Sequence, residues 1–527
     1  MIDGVMQDFP LTLDRILNHA AKWAGDVEVV TALESGPSRR IGYAALRQRS
    51  VKVSSVLAGM GVTVGQRVAT LAWNSQHHVE VWYAIMGMGA VCHTLNPRLT
   101  ATQLAWMIGQ SGARILIVSA DLLPLALQMA GEASGLERVF VIDGEVETAI
   151  GTPRIETLDP LIDQADATAC WGDFPETAPS GLCFTSGSTG LPKGVTYTHR
   201  SSFLHTLRLL QADALSLSGA DVVLPVVPMF HASAWGLPFA APATGAKLVL
   251  PGRHTDGASL ARLIAAEDVT VAVGVPTLWL GLCDHLEATG MKLPSLQRIT
   301  VGGAAMPPAL MERLETQLGV KVQTSWGMTE LSPVGTTGVM SDAVRHAGLS
   351  GRPQLGVDLM VADEDGQPLP EQRDTEGRLH VRGAAVIERY FGQEHSATNA
   401  DGWFDTGDLA LIDRQGNLKI TARAKDLIKS GGEWINPAEI EAIICALPEV
   451  ALAAVIGRID PKWGERPLLL VQLREAQEIS DEALLGCLRG QVASWWIPDA
   501  VVRAPEIPLA ATGKIDKIRL RATYSGA

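Results

Sequence analysis

The apolar run Leu182-Cys183-Phe184 leads directly into Thr185-Ser186-Gly187-Ser188-Thr189-Gly190-Leu191-Pro192-Lys193-Gly194. An apolar run of this kind reads as the end of a buried strand, with the loop emerging at its tip. Ten residues hold three glycines, four hydroxyl side chains and one lysine. Glycine lets the backbone approach a ligand and turn its N–H groups towards an anion. The hydroxyls add donors and Lys193 adds a positive point charge, which together make the chemistry of a polyphosphate cradle. The plainer alternative is a Gly/Ser surface loop. A Walker A loop is excluded, because Lys193 follows proline and precedes glycine where that motif needs Gly-Lys-Ser/Thr.

Around this loop the chain alternates helical and strand patterns. Leu13, Ile16, Leu17 and Ala20 have helical spacing, and a second helix is predicted over 43–60. Residues 68–73 and 115–119 read as short buried strands. Such alternation predicts an α/β layered fold with parallel strands. Residues 149–179 read as a loop-rich connector. After the loop, a helix is predicted from about His199 through Leu210, then strands over 222–228, 247–250, 269–275, 299–301 and 320–323. Leu310, Leu314 and Leu318 make an apolar stripe framed by Pro307-Pro308 and Gly319. Residues 356–420 change to short strands and Gly/Asp turns, a small β subdomain. Asn436-Pro437-Ala438-Glu439 reads as an N-cap, an N1 proline and an N3 glutamate. Ile440, Ile443, Ile444 and Leu447 would be the apolar face of the helix that follows. Strands at 450–457 and 468–473 and a helix over 480–496 complete the tail. At 527 residues the chain is too long for one core. The expected architecture is a large N-terminal α/β domain of layered subdomains (1–422), a hinge (423–426) and a small mobile α+β C-terminal domain (427–527).

Composition narrows the function. A net charge of -14 with no long basic run argues against nucleic-acid binding. The six cysteines show no CxxC spacing, so neither a zinc site nor a disulfide framework is expected. The N-terminus lacks a basic segment followed by an apolar core, so no signal peptide is expected. The nearly uncharged stretch 222–246 carries Pro225, Pro228, Pro238 and Pro242, against a spanning helix. A soluble, cytoplasmic protein is the expectation.

Further segments are ambiguous alone. Trp326-Gly327-Met328-Thr329-Glu330 offers a carboxylate that suits magnesium beside phosphates, or a simple helix cap. Asp405-Thr406-Gly407-Asp408 reads as a turn. Gly302-Gly303-Ala304-Ala305 permits flat packing of a base on backbone, or is a tight turn. Lys514, near the C-terminus, reads alone as a solvated surface lysine.

Taken together and in order, these motifs resemble the adenylate-forming superfamily: acyl-CoA synthetases, peptide-synthetase adenylation domains and luciferases. The resemblance implies that Thr185, Ser186, Gly187, Ser188, Thr189, Gly190 and Lys193 hold ATP phosphates, with Thr329 as a phosphate contact and Glu330 as the Mg2+ ligand. It implies that Gly303, Ala304, Trp326 and Gly327 line the nucleotide, that Asp408 accepts from the ribose hydroxyls, and that Arg423 contacts the nucleotide. Arg423-Ala424-Lys425-Asp426 matches the linker, with Lys425 at the hinge; Ala422 stands where the family often has glycine, and Arg378 where Gly-Glu-Leu is usual. Ile507 to Ile515 matches the terminal motif whose lysine, Lys514, stabilises charge developing at the α-phosphate. Ser430, Gly431, Gly432 and Trp434 would line the route of the coenzyme A (CoA) thiol, and a homodimer is implied.

The expected reaction has two steps. A carboxylate attacks the α-phosphate of MgATP to give an acyl-adenylate, and the CoA thiol then displaces AMP. No Asp or Glu lies between Met229 and Ala240, where amino-acid-activating relatives usually carry an aspartate, so an amino-acid substrate is not expected. Trp235, Gly236, Val275 and Gly302 would bind an apolar acyl chain, and His231 matches the gating residue between acyl pocket and thiol tunnel. The segments Leu71–Asn74, Cys92–Leu99, Val227–His231 and Ala424–Trp434 look most like bacterial medium-chain acyl-CoA ligases, a branch that includes ligases for 3-methylmercaptopropionate. The alternatives are an adenylation enzyme that loads a carrier protein and a nucleotide-binding protein without catalysis.

Overall fold

The computed structural model describes residues 3–133, 135–185, 192–340, 346–430, 433–510 and 514–524. Four sheets organise them. The first has seven strands, in the order Arg154–Thr157, Arg138–Ile142, Ile115–Ser119, Arg67–Leu71, Val91–Thr94, Pro179–Thr185 and Lys193–Thr198. All its pairings are parallel except the last, where Lys193–Thr198 returns antiparallel to Pro179–Thr185. The glycine-rich loop is therefore a hairpin connection, and Thr185 pairs with Lys193. Thr198 then caps the helix His199–Leu209 in a capping box with Ser201.

The second sheet has nine strands. Its centre, Lys321–Gly327, Arg298–Val301, Val271–Gly274, Val222–Pro225, Lys247–Leu250 and Glu28–Thr31, is parallel, and antiparallel strands close both ends. One core cluster joins these two sheets through the helices Asp14–Trp23, Tyr43–Gly59, Gln76–Gly87 and Leu237–Thr244. The Gln76–Gly87 helix is buried on every side, as expected of a layer sandwiched between sheets.

The third sheet is the antiparallel β subdomain, Val357–Ala362, Glu376–Gly383, Phe404–Ile412 and Leu418–Arg423. Beyond it, residues 428–524 build a fourth sheet of five strands with the helices Pro437–Cys445, Asp481–Leu488 and Lys517–Tyr524. This C-terminal unit encloses two apolar clusters drawn from its own residues.

Three expectations need correction. The connector 149–179 contains the strand Arg154–Thr157, an outer member of the first sheet, and the helix Asp159–Gln164. The strand predicted over 222–228 ends at Pro225, because Asn74 captures the carbonyls of Pro225 and Val227. The helix predicted over 480–496 stops at Leu488; Gly490 has φ +76°, and a single 3-10 turn at Ser494–Trp496 follows. Among the described residues no helix is long and apolar enough to cross a membrane.

Candidate active site

The site is assembled at the ends of the two large sheets, roofed by the β subdomain. Ser186, Gly187, Ser188, Thr189 and Gly190 lie outside the described residues, as do Gly431 and Gly432. The flanks of the glycine-rich loop are described. Lys193 Nζ stands 4.8 Å from the ring centroid of Tyr390. Tyr390 Oη donates to Glu330 Oε1 at 2.9 Å. Phe391 N donates to Gly194 O at 2.8 Å, and a Cβ on Gly194 would lie 2.9 Å from Phe391 Cβ. Glycine is required there because the Tyr390-Phe391 segment crosses so closely, and that crossing ties the loop's return strand to Glu330.

Glu330 sits in the 3-10 turn Thr329–Leu331 at the end of the strand Lys321–Gly327. It is buried, and burial raises its pKa above the usual carboxylate value against the opposing pull of Tyr390, Arg423 and Lys193. Thr329 is buried too, its carbonyl accepting from Tyr197 Oη at 2.9 Å. A Cβ on Gly327 would collide with Pro333 O, so the strand can turn into this carboxylate-bearing segment only with glycine.

Asp408 is 2% exposed on the strand Phe404–Ile412. Its Oδ2 accepts from Trp326 Nε1 at 3.0 Å. Its Oδ1 lies 2.7 Å from Arg423 Nε on the adjacent strand, yet receives no hydrogen bond in good alignment. Burial, the largest effect, raises the Asp408 pKa, and Arg423 opposes it. A buried carboxylate oxygen with unmet acceptor capacity is suited to a hydroxyl donor from a ligand. Arg378 is paired with Asp405 at 2.6 Å, which stiffens the turn before Asp408.

On the acyl side, Ala232, Ser233, Ala234, Trp235 and Gly236 all have positive φ, from 45° to 78°. This left-handed turn costs about 1–2 kcal/mol per non-glycine residue, so its surroundings must impose it. Asn74 is 3% exposed and staples the preceding segment: its Nδ2 donates to Pro225 O and Val227 O, and its Oδ1 accepts from Met229 N at 2.7 Å. At the other end a Cβ on Gly236 would lie 2.7 Å from His205 Nδ1. The turn lays the Trp235 indole along Gly302 and Gly303. A Cβ on Gly302 would meet it at 3.0 Å, and one on Gly303 would meet Val275 Cγ1 at 3.3 Å and both Trp235 and Lys514 Cε at 3.6 Å. Gly303 is thus the point where Trp235, Val275 and Lys514 converge. Ala304 beside it is exposed. Behind the indole a cavity of only about 10 Å³ remains, bounded by Leu209, Val273, Val334, Thr300 and Ser325.

Lys514 therefore lies among the residues of the large sheets, although it belongs to the C-terminal unit. Burial, aided by Arg423, lowers its pKa to about 8, and Asp408 and Glu330 pull the other way. His231 is held neutral, its pKa lowered to about 4 by burial and then by Lys514. Lys425 occupies the 3-10 turn Ala424–Asp426, its pKa lowered by burial and by Arg423. Ser430 and Trp434 are elsewhere: Ser430 Oγ accepts from Arg466, and Trp434 is 48% exposed beside Lys429. Among the described residues no contact joins either to the Asp408–Glu330–Lys514 group.

The structure thus brings together Thr185, Lys193, Trp326, Gly327, Thr329, Glu330, Asp408, Arg423, Gly302, Gly303, Val275, Trp235, His231 and Lys514. Sequence reasoning missed Tyr390, Tyr197 and the positioning role of Asn74; a tyrosine just before Phe391-Gly392 carries no local signal for a bond to Glu330.

An α/β body with a glycine-rich hairpin, a buried carboxylate pair and a lysine delivered by a second unit is the arrangement of an adenylate-forming enzyme. The chain belongs to the AMP-binding enzyme family, whose profile matches residues 17–391, with the AMP-binding enzyme C-terminal domain matching 439–514. It is 40% identical over 536 residues to the 3-methylmercaptopropionyl-CoA ligase of Ruegeria lacuscaerulensis, covering 99% of both chains. It is 41% identical over 533 residues to the medium-chain-fatty-acid–CoA ligase of Ectopseudomonas oleovorans, covering 99% of this chain and 97% of that one. The anthranilate CoA ligase AuaEII, solved with anthranoyl-AMP, superposes with a TM-score of 0.88 at 25% identity, covering 98% of this chain and 99% of that one.

Proposed function

We infer that the chain is an AMP-forming acid–CoA ligase that activates a medium-chain fatty acid or 3-methylmercaptopropionate. The observation that carries this reading is Lys514, which packs beside Gly303 and feels the charges of the buried carboxylates Asp408 and Glu330. A nucleotide-binding protein has no need of a lysine at that point.

In the first step the acid's carboxylate attacks the α-phosphate of ATP, the α–β phosphoanhydride bond breaks, and pyrophosphate leaves the acyl-adenylate. Asp408 Oδ1 accepts from a ribose hydroxyl, Trp326 and Arg423 hold that carboxylate in place, and Lys193 and the loop hydroxyls take the outer phosphates. Lys514, charged below about pH 8, faces the negative charge that grows on the α-phosphate. Mg2+ fits Glu330, a buried carboxylate beside Lys193 and Tyr390 whose pKa burial raises; when bound, the ion would neutralise phosphate charge.

In the second step the CoA thiol displaces AMP from the acyl-adenylate. Ser430, Gly431, Gly432 and Trp434 serve this step, and they sit on the same C-terminal unit as Lys514. One rigid unit cannot present both faces at once, so it turns about Lys425 between steps. Trp463 and Trp495 are exposed close to Ser430 in the fold: Ser430 pairs with Gly464, and Arg466 bonds both Ser430 Oγ and Trp495 O. The acyl lining is apolar and carries no acid, which suits an alkyl or thioether chain. The cavity behind Trp235 measures about 10 Å³, so a chain lodged there would need the indole to move. Cytoplasmic location and a homodimer complete the reading.

The test is a mass-spectrometric assay with ATP, magnesium, CoA and pooled short- to long-chain, aromatic and 3-methylmercaptopropionic acids. The reading predicts AMP and one or a few acyl-CoA masses centred on medium-chain acids or the thioether acid. Acyl-adenylate without thioester would shift the assignment to carrier-protein loading, and no AMP with any acid would leave nucleotide binding alone.

A further inference from the structure

The C-terminal unit is held against the large sheets by contacts that the reaction scheme does not use. Asn436 caps the helix Pro437–Cys445, its Oδ1 accepting from Ala438 N at 3.1 Å. Its Nδ2 donates to Thr421 O at 2.7 Å and also to Glu439 Oε1 of the same helix at 3.1 Å. Thr421 lies on the strand Leu418–Arg423, two residues before the arginine that pairs with Asp408.

On its other side the same helix holds Lys517. Glu441 Oε1 accepts from Val455 N at 2.6 Å and lies 2.7 Å from Lys517 Nζ. Lys517 begins the helix Lys517–Tyr524, three residues beyond Lys514. The lysine's own loop is closed by Ala510 N donating to Lys514 O at 2.6 Å and Asp516 N donating to Pro508 O at 2.8 Å. On the last helix Arg521 is 2.9 Å from Asp426 of the linker turn. The strand bearing Arg423, the Asn436 cap, the Glu441–Lys517 pair and Lys514 form one continuous set of contacts. Farther out, Arg474 Nη1 lies 3.4 Å from Asp284 Oδ1, a carboxylate also held by Arg313 at 2.7 Å.

We propose that Asn436 is a positioning residue for Lys514: its bond to the Thr421 carbonyl sets the C-terminal unit against the Arg423 strand, and Arg474–Asp284 braces the same arrangement. Both contacts belong to the Lys514-inserted arrangement and break when the unit turns to present Ser430 and Trp434. They bias the balance between the two half-reactions and take part in neither. This rests on the ligase reading above. A contact made in only one of two arrangements shifts their equilibrium by its full worth, so the ratio of adenylation to thioester rates reports it wherever the equilibrium lies.

The experiment measures both half-reactions in single turnover, pyrophosphate release with acid and ATP, and acyl-CoA formation from supplied acyl-adenylate. Asn436→Asp is made in a Glu439→Gln background, which is also its reference, so that no second carboxylate faces it. It keeps the cap, because aspartate caps about as well as asparagine, but it cannot donate to Thr421. The expected result is a ratio lowered about 5-fold, the scale of one hydrogen bond, with the thioester step unchanged or faster. Arg474→Ala, on the surface, is expected to lower the ratio about 2-fold. Raising the salt is expected to move the wild-type ratio but not that of Arg474→Ala, because an exposed ion pair is screened. If both half-reactions fall together, or the ratio ignores both variants, the positioning role is wrong while the ligase reading stands. A wild-type protein that forms no acyl-adenylate with any acid would end the ligase reading first.

Discussion

The two lysines at this site are mounted differently. Lys193 opens a strand in the seven-stranded sheet and stands over Tyr390, which itself holds Glu330. Lys514 comes from a unit with its own apolar clusters and reaches the same carboxylates across a domain boundary. The large sheets and the β subdomain hold Trp326, Glu330, Asp408 and Arg423 by contacts made within the body, which on the proposed reading is a nearly finished nucleotide site. On the same reading the reactive charge comes from the C-terminal unit and can be withdrawn. A two-step reaction at one carbonyl needs that division, since groups that favour adenylation would obstruct a thiol.

The contrast orders the expected effects. Lys514→Ala should lower adenylation by at least about 100-fold, as removal of one charge-stabilising donor does elsewhere, with the KM for ATP changed little; single-turnover pyrophosphate release measures it. Asp408→Ala should act on binding instead, raising the KM for ATP about 10- to 100-fold. It removes the proposed acceptor for the ribose, the bond from Trp326 Nε1 and the ion pair with Arg423, and a hydrogen bond to a charged group is worth about 1.5–3 kcal/mol. Steady-state ATP titration would show it, and a fall confined to kcat would contradict the division.

Tyr390→Phe removes one hydrogen bond from Glu330 and should reduce kcat/KM for MgATP by about 10-fold, with the loss steepest at low magnesium. The pH profile sharpens the comparison further. Lys514 works in its charged form, which is present below its pKa and lost as pH rises through about 8, well under the ordinary lysine range. The kcat/KM for ATP, which reports free-enzyme pKa values, should therefore fall above about pH 8, and that limb should vanish in Lys514→Ala. Trp235→Ala should have the smallest effect on overall rate. It opens the cavity that now measures about 10 Å³ and should shift preference to longer or bulkier acids, read as relative kcat/KM across a chain-length series.

The parts legible in the sequence were those written in contiguous residues. Trp326–Glu330, Asp405–Asp408, Arg423–Asp426 and Lys514 could be located as short local motifs, though each is ambiguous alone and its role rests on resemblance; most of the glycine-rich loop lies outside the described residues. The Asn436-Pro437 helix start is equally local, and Asn436 does cap that helix. Contacts set by the folded arrangement were not legible. Nothing in Ala232-Ser233-Ala234-Trp235 announces a left-handed turn, since none is glycine; Asn74 and the close approach of Gly236 to His205 impose it. The Tyr390–Glu330 bond spans 60 residues and joins different elements, so no pattern within either segment encodes it. The helix predicted through Trp496 failed for a local reason that periodicity hides, the positive φ at Gly490.

The most direct measurement supplies Lys514→Ala with preformed acyl-adenylate and CoA and follows acyl-CoA in single turnover. The account predicts a thioester rate within about 3-fold of the wild type, although the same protein has lost adenylation by at least about 100-fold. Equal loss in both half-reactions would contradict it, because Lys514 would then serve a single fixed site and not one of two alternating arrangements.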